Sequence, residues 1–110
     1  MEIRKNNNQI WIGDKHYSFE HNIEKILVFP QIIILLFLDK DKIQHNNIIA
    51  IDYNANMQWN ISDIIKLNYS EVYVALSKES ENTFSVISYN GVRFYINVET
   101  KQIIKKIITK

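Results

Sequence analysis

The chain has 110 residues, 46% of them hydrophobic and 23% charged, with a net charge of +1 and no cysteine. That length fits a single domain, residues 1–110, with one core and little room for a second, and the apolar fraction is too high for a disordered chain. The lack of Cys excludes disulfides, thiol catalysis and Cys-based zinc sites and fits a reducing compartment, while the near-neutral balance argues against bulk electrostatic binding of nucleic acid or an anionic membrane.

Met1 to Asn8 is polar, with no apolar run or small-residue cleavage site, so no targeting segment is expected and the chain reads as cytoplasmic. Short apolar runs then alternate with Asn, Asp, Gly and Lys clusters, the pattern of antiparallel strands. Ile10 to Gly13 and His16 to Phe19 predict a hairpin about Asp14-Lys15. Ile26 to Leu38 is the most apolar stretch, at 13 residues with Pro30 at its middle. A membrane helix needs roughly 20, so the stretch reads as the core of two buried strands, Ile23 to Phe29 and Ile32 to Leu38. Asp39 to Asn47 forms the longest loop. Ile48 to Ile61 predicts a hairpin around Asn54-Ala55-Asn56, whose three-residue loop puts Ile49, Ile51 and Tyr53 on one face with Met57, Trp59 and Ile61.

Ser62-Asp63-Ile64-Ile65 has the composition of one helical turn with Ser62 as its N-cap. From Glu71 to Leu76 the residues alternate, with Val72, Val74 and Leu76 facing the core and Glu71 and Tyr73 facing outward. Between Thr83 and Val98, Asn90-Gly91 is a strong two-residue hairpin signal. That turn pairs Ile87 with Phe94 and Ser85 with Ile96 on one face, and Val86 with Tyr95 and Phe84 with Asn97 on the other. The last segment, after Thr100, repeats Ile at helical spacing. It follows a strand after a short turn and is β-branched, so a strand is expected. The fold class is therefore all-β: one antiparallel domain of about eight to ten short strands in a sandwich or barrel-like meander, with at most a helical turn near 62–66.

Little in the chain points to chemistry. Two glycines, Gly13 and Gly91, cannot build a phosphate-binding Gly-rich loop, and no nucleophile sits in a G-x-S-x-G turn. Asp39, Asp41 and His45 share one loop, but the spacing of a calcium loop is missing. No cofactor, metal or catalytic residue is expected, and the chain reads as a binding protein rather than an enzyme. Tyr73 and Tyr95 point away from the apolar sides of their strands beside Glu71 and Arg93, and Tyr and Arg are favoured interface anchors. The candidate partner-binding residues are Asp39, Asp41, Glu71, Tyr73, Arg93 and Tyr95. A nucleic-acid-binding sheet using Arg93, Tyr95 and the C-terminal lysines is the alternative, and an interaction module that assembles through its edge strands is another.

Two resemblances add to this reading. Ile48-Ile49-Ala50-Ile51-Asp52-Tyr53, turning into Gln58-Trp59, is similar to a hairpin of a β-propeller blade. The whole layout resembles small bacterial immunity proteins of contact-dependent growth inhibition systems. It runs from an Ile10-Trp11-Ile12-Gly13-Asp14-Lys15 hairpin, through that central hairpin, to closing strands carrying Tyr89-Asn90-Gly91-Val92-Arg93-Phe94-Tyr95. The resemblance implies a cytoplasmic, monomeric inhibitor that binds a cognate toxin domain, often a nuclease, one to one and occludes its active site without contacting membrane or nucleic acid itself.

Overall fold

A computed structural model describes residues 2–40, 42 and 44–108. Among them are eleven strands, all paired antiparallel: β1 (Ile3–Asn6), β2 (Gln9–Ile12), β3 (Lys15–Ser18), β4 (Ile23–Val28), β5 (Ile33–Phe37), β6 (Ile48–Ile51), β7 (Met57–Asn60), β8 (Tyr73–Lys78), β9 (Thr83–Ser88), β10 (Val92–Asn97) and β11 (Ile103–Ile108). They form three meandering sheets of neighbours in sequence: β1-β2-β3, β4-β5-β6-β7 and β8-β9-β10-β11. The all-β reading holds. The strand most easily missed is β1, whose polar Arg-Lys-Asn residues are exposed and which Ile3 anchors opposite Ile12.

The middle sheet is covered on both faces, so the core divides in two. Ile33, Leu35, Phe37 and Ile51 pack on Ile10 and Ile12 of the first sheet. Ile34, Leu36, Ile48, Ala50 and Trp59 pack on Leu76, Phe84, Val86, Phe94 and Ile96 of the third. All five residues of β5 are buried. A strand covered on both sides loses the apolar/polar alternation, which explains the unbroken Ile32-to-Leu38 run. Pro30 lies exposed in the turn between β4 and β5, where no ladder hydrogen bond is lost. Aromatic pairs bridge the layers: Trp59 stacks on Phe84 at 5.8 Å, and Phe19 meets Phe37 at 5.4 Å.

Three hairpins depart from the sequence expectation. In the β9–β10 pair, Val86 faces Phe94 and Phe84 faces Ile96, one residue out of the expected register. Gly91 has φ 84°, and Asn90 is absent from the residues with positive φ. The connection is thus a three-residue loop closed by the Gly91 N–H donating to the Ser88 carbonyl, not a type I′ turn with two positive φ angles. The slip moves four large apolar side chains to one face, and burial of that face selects it. In the β6–β7 pair a bulge beside Ile51 sets Trp59 opposite Ala50. Trp59 therefore faces the third sheet, while Ile49 and Ile51 face the first. The β2–β3 hairpin turns through Gly13-Asp14 rather than Asp14-Lys15, with Gly13 at φ 62°.

The β7–β8 connection, residues 61–72, is longer than the loop after β5. It opens with a 3₁₀ turn, Ile61–Asp63, whose N-cap is Asn60 rather than Ser62. Asn60 accepts from the Ser62 N–H, and the Asp63 carboxylate accepts from the Asn60 N–H. Polar positions either side of Ile61 leave that residue free to be fully buried.

The join between the second and third sheets rests on Asn47, a polar side chain with no exposure. Its Nδ2 donates to the carbonyls of Phe37 and Tyr73, both at 2.8 Å, and its Oδ1 accepts from the Tyr73 N–H at 2.8 Å. The Asn46 N–H donates to the Glu71 carbonyl beside it. The backbone ends of β5 and β8 are thereby satisfied by one amide. Asn47→Ala leaves three buried backbone groups unpaired and is expected to destabilise the fold by on the order of 3 kcal/mol, read as a lower urea midpoint at unchanged slope. Phe84→Ala, which removes the ring shared by Trp59 and Phe29, is expected to cost about 3–5 kcal/mol by the same measurement.

Candidate binding surface

The outer face of the third sheet is built by the same register that fills the core. With Phe84, Val86, Phe94 and Ile96 directed inward, their neighbours point out. Ala75, Ile87, Arg93 and Ile107 form one cross-strand row, and Ser77, Ser85, Tyr95 and Lys105 form the next. Tyr95 is half-buried between two cations: the Lys105 Nζ lies 4.5 Å from its ring centre and the Arg93 guanidinium 6.0 Å. The Ser85 hydroxyl donates to Glu79 at 2.7 Å, so one carboxylate closes the row. Both cations lie within cation–π reach of the ring, and Ile87 and Ile107 lie in the adjoining row.

Arg93 and Tyr95 thus share the outward face that the sequence assigns to them. Glu71 and Tyr73 do not join them. Both are buried, at 6% and 1% exposure. A bulge at the start of β8 sets Tyr73 and Leu76, three apart, on the inner side, and Val74 is exposed instead. Strict alternation fails because that bulge adds a residue to the strand. The Glu71 carboxylate accepts from the Val72 N–H and from the Asn90 side chain, tying the start of β8 to the β9–β10 loop. Burial, with the charges of Glu71 and Tyr69 adding to it, pushes the Tyr73 hydroxyl up to about 12.

Asp39 lies elsewhere, at the lip of a cleft of about 550 Å³ between the first and second sheets, lined in part by Lys5, Asn7, His21 and Lys42. Both its oxygens are engaged. Oδ1 accepts from the Asn22 N–H at 2.9 Å, and Oδ2 lies 2.6 Å from His21 Nδ1. The Asn22 N–H first, and the His21 bond next, hold the Asp39 carboxyl below its usual range. Asp39 clasps the β3–β4 connection to the end of β5 rather than offering a free acid. Asp41 lies outside the described residues. Among the described residues no three His, Asp or Glu side chains gather as a metal site.

The outer face of the first sheet carries a second aromatic cluster. Because Ile10 and Ile12 point inward, Trp11 points out. It stacks on His16 at 4.7 Å and lies under Arg4 at 5.4 Å. The alternation in Ile-Trp-Ile holds this placement for Trp11, but the Arg4 contact depends on β1, which the polar N-terminal residues conceal. Each end of the three-sheet stack therefore exposes one aromatic ring flanked by cationic or ionisable groups.

The position of Tyr73 is open to a direct test. The folded state holds its proton more tightly than the unfolded chain, so its contribution to stability is complete below pH 10 and falls as pH rises from 10 toward 12. An ultraviolet titration of the folded protein is expected to show a tyrosine step near pH 12 that Tyr73→Phe removes. Loss of no such step in the variant would contradict the burial.

No curated protein and no solved structure matches this chain. No helix among the described residues is long and apolar enough to cross a membrane. A family model, the domain of unknown function DUF7957, matches residues 1–107, nearly the whole of the three-sheet unit. The chain belongs to that family.

Proposed function

We propose that the chain is a cytoplasmic immunity protein: a non-enzymatic binding protein that neutralises a cognate bacterial toxin domain by covering its active site. The observation that carries the reading is the outer face of the third sheet. There Tyr95 sits between Arg93 and Lys105, with Ile87 and Ile107 in the adjoining row. Tyr and Arg anchors set among apolar contacts are the composition of protein-binding hot spots. A sheet backed by a packed core also presents them with little ordering cost on association. Asp39, Glu71 and Tyr73 are engaged within the fold. The outer face carries two cations, Arg93 and Lys105, against one carboxylate, Glu79, and it suits a toxin surface that carries carboxylates, since opposite charge speeds and orients association. The one-to-one layout that the resemblance implies needs a total buried area of about 1,200–2,000 Å².

The toxin encoded beside this gene, mixed with the purified protein, is expected to form a stoichiometric complex and lose activity. Arg93→Ala and Tyr95→Ala are each expected to weaken that complex by about 2 kcal/mol, roughly thirty-fold in Kd, with little change in the urea midpoint. Absence of a complex at micromolar concentration overturns the proposal. Tyr95 flanked by cations also fits a stacked base. That second reading requires binding of single-stranded RNA that falls steeply with salt, and a flat titration removes it.

A further inference from the structure

The edge strand β11 stands apart from every other strand of the fold. It pairs with β10 on one side, and its other side is the free edge of the third sheet. All six of its residues are exposed, including Ile103 at 41%, Ile104 at 55%, Ile107 at 40% and Ile108 at 68%. A free edge offers a row of unpaired backbone donors and acceptors, and soluble proteins blunt such edges with short strands, charges or proline. Here the strand is six residues long, and its charges are confined to the middle, at Lys105 and Lys106.

We infer that β11 is a docking edge for an extended partner segment that adds to the sheet as a further antiparallel strand, with two acidic residues at its centre and apolar residues on either side. The charge pattern selects this occupant. In a second copy paired antiparallel about the strand centre, Lys105 falls opposite Lys106 of that copy, and directly opposed like charges destabilise a sheet. Moving the register by one residue sets lysine opposite its own equivalent, and parallel pairing does the same. In the centred, one-residue-shifted and in-register parallel pairings the lysines thus disfavour self-association, while leaving the edge open to a strand with carboxylates at those two positions.

The register gives one acid to each face. Lys105 pairs with Tyr95 on the outer face, and Lys106 pairs with Phe94 on the inner face. Ile103 and Ile108 extend the inner side and Ile107 the outer, and Ile104 occupies the bulge beside Ile103. Main-chain pairing supplies affinity that any sequence provides, and the alternating side chains supply the choice. An acid opposite Lys105 extends, one strand further out, the cross-strand row that runs through Tyr95, so the edge and the outer face are continuous. This inference rests on the chain being a binding protein, not on its partner being a toxin.

The test uses the full chain, isotope-labelled for amide NMR, and a capped peptide Thr-Val-Thr-Glu-Glu-Val-Thr-Val with a counterpart carrying Lys for both Glu. The Glu peptide is expected to shift the amides of residues 103–108 saturably, and the Lys peptide to bind roughly tenfold more weakly, as two cross-strand pairs turn from attractive to repulsive. The K105E/K106E double variant alters only exposed side chains and is expected to reverse the preference. Unresponsive amides at 103–108, equal affinity for the two peptides, or no reversal in the variant overturns the inference. So does a concentration-dependent dimer that protects these amides without peptide, which assigns the edge to a second copy. Peptide binding that persists while the toxin fails to bind rejects the toxin reading and keeps the edge.

Discussion

One buried amide holds the architecture in register. The Asn47 side chain bonds to the backbone of Phe37 in the second sheet and of Tyr73 in the third, with every contact at 2.8 Å. Two sheets packed through apolar side chains alone can slide, because dispersion and the hydrophobic effect are non-directional. A fully satisfied polar group in a dry site admits one arrangement, since any displacement leaves donors and acceptors unpaired. Asn47 fixes where β8 begins relative to β5. With it goes the inward placement of Tyr73, whose backbone the amide holds.

Packing around this joint is unusually economical for a chain of 110 residues. A two-layer sandwich uses one face of each sheet. Here the middle sheet is covered on both faces, so β5 contributes five buried side chains from five residues. The outer two sheets then need only one apolar face each, and their outer faces are free to carry Trp11 with Arg4 and His16 at one end and Tyr95 with Arg93 and Lys105 at the other. The exposed strand β11 continues the second of these faces to its edge. Surfaces available for recognition are therefore a by-product of how the core is divided.

Turn chemistry shows how closely local sequence and tertiary burial compete. Asn-Gly favours a tight two-residue turn, yet Gly91 alone takes a positive φ and the loop lengthens to three residues. The difference is one residue of register, and it decides whether Phe84 and Val86 share a face with Ile96 and Phe94. The cost of a less favoured turn is small beside that of exposing such side chains. The β6–β7 loop also departs from the three residues expected: Ile51 pairs with Met57, and residues 52–56 connect the strands. Asp52 accepts from the Asn54 and Asn56 amides and shapes the β6–β7 loop, although Ala55 rather than an Asn takes the positive φ there.

Composition and periodicity alone determined the all-β class, the positions of most strands, the burial of the Ile32-to-Leu38 run and the outward placement of Arg93 and Tyr95, while β-branching favoured a strand after Thr100 against the helical spacing of its Ile residues. These follow from side-chain alternation and β-branching, which act over a few residues. Tertiary structure alone decided the division into three sheets, the inward turn of Glu71 and Tyr73, the pairing of Asp39 with His21 and the exposure of β11. Each of these depends on a bulge, a register or a hydrogen bond between residues distant in the chain. A period-two pattern fixes the two faces of a strand, but only the neighbouring sheets fix which face is covered, and a single inserted residue exchanges them.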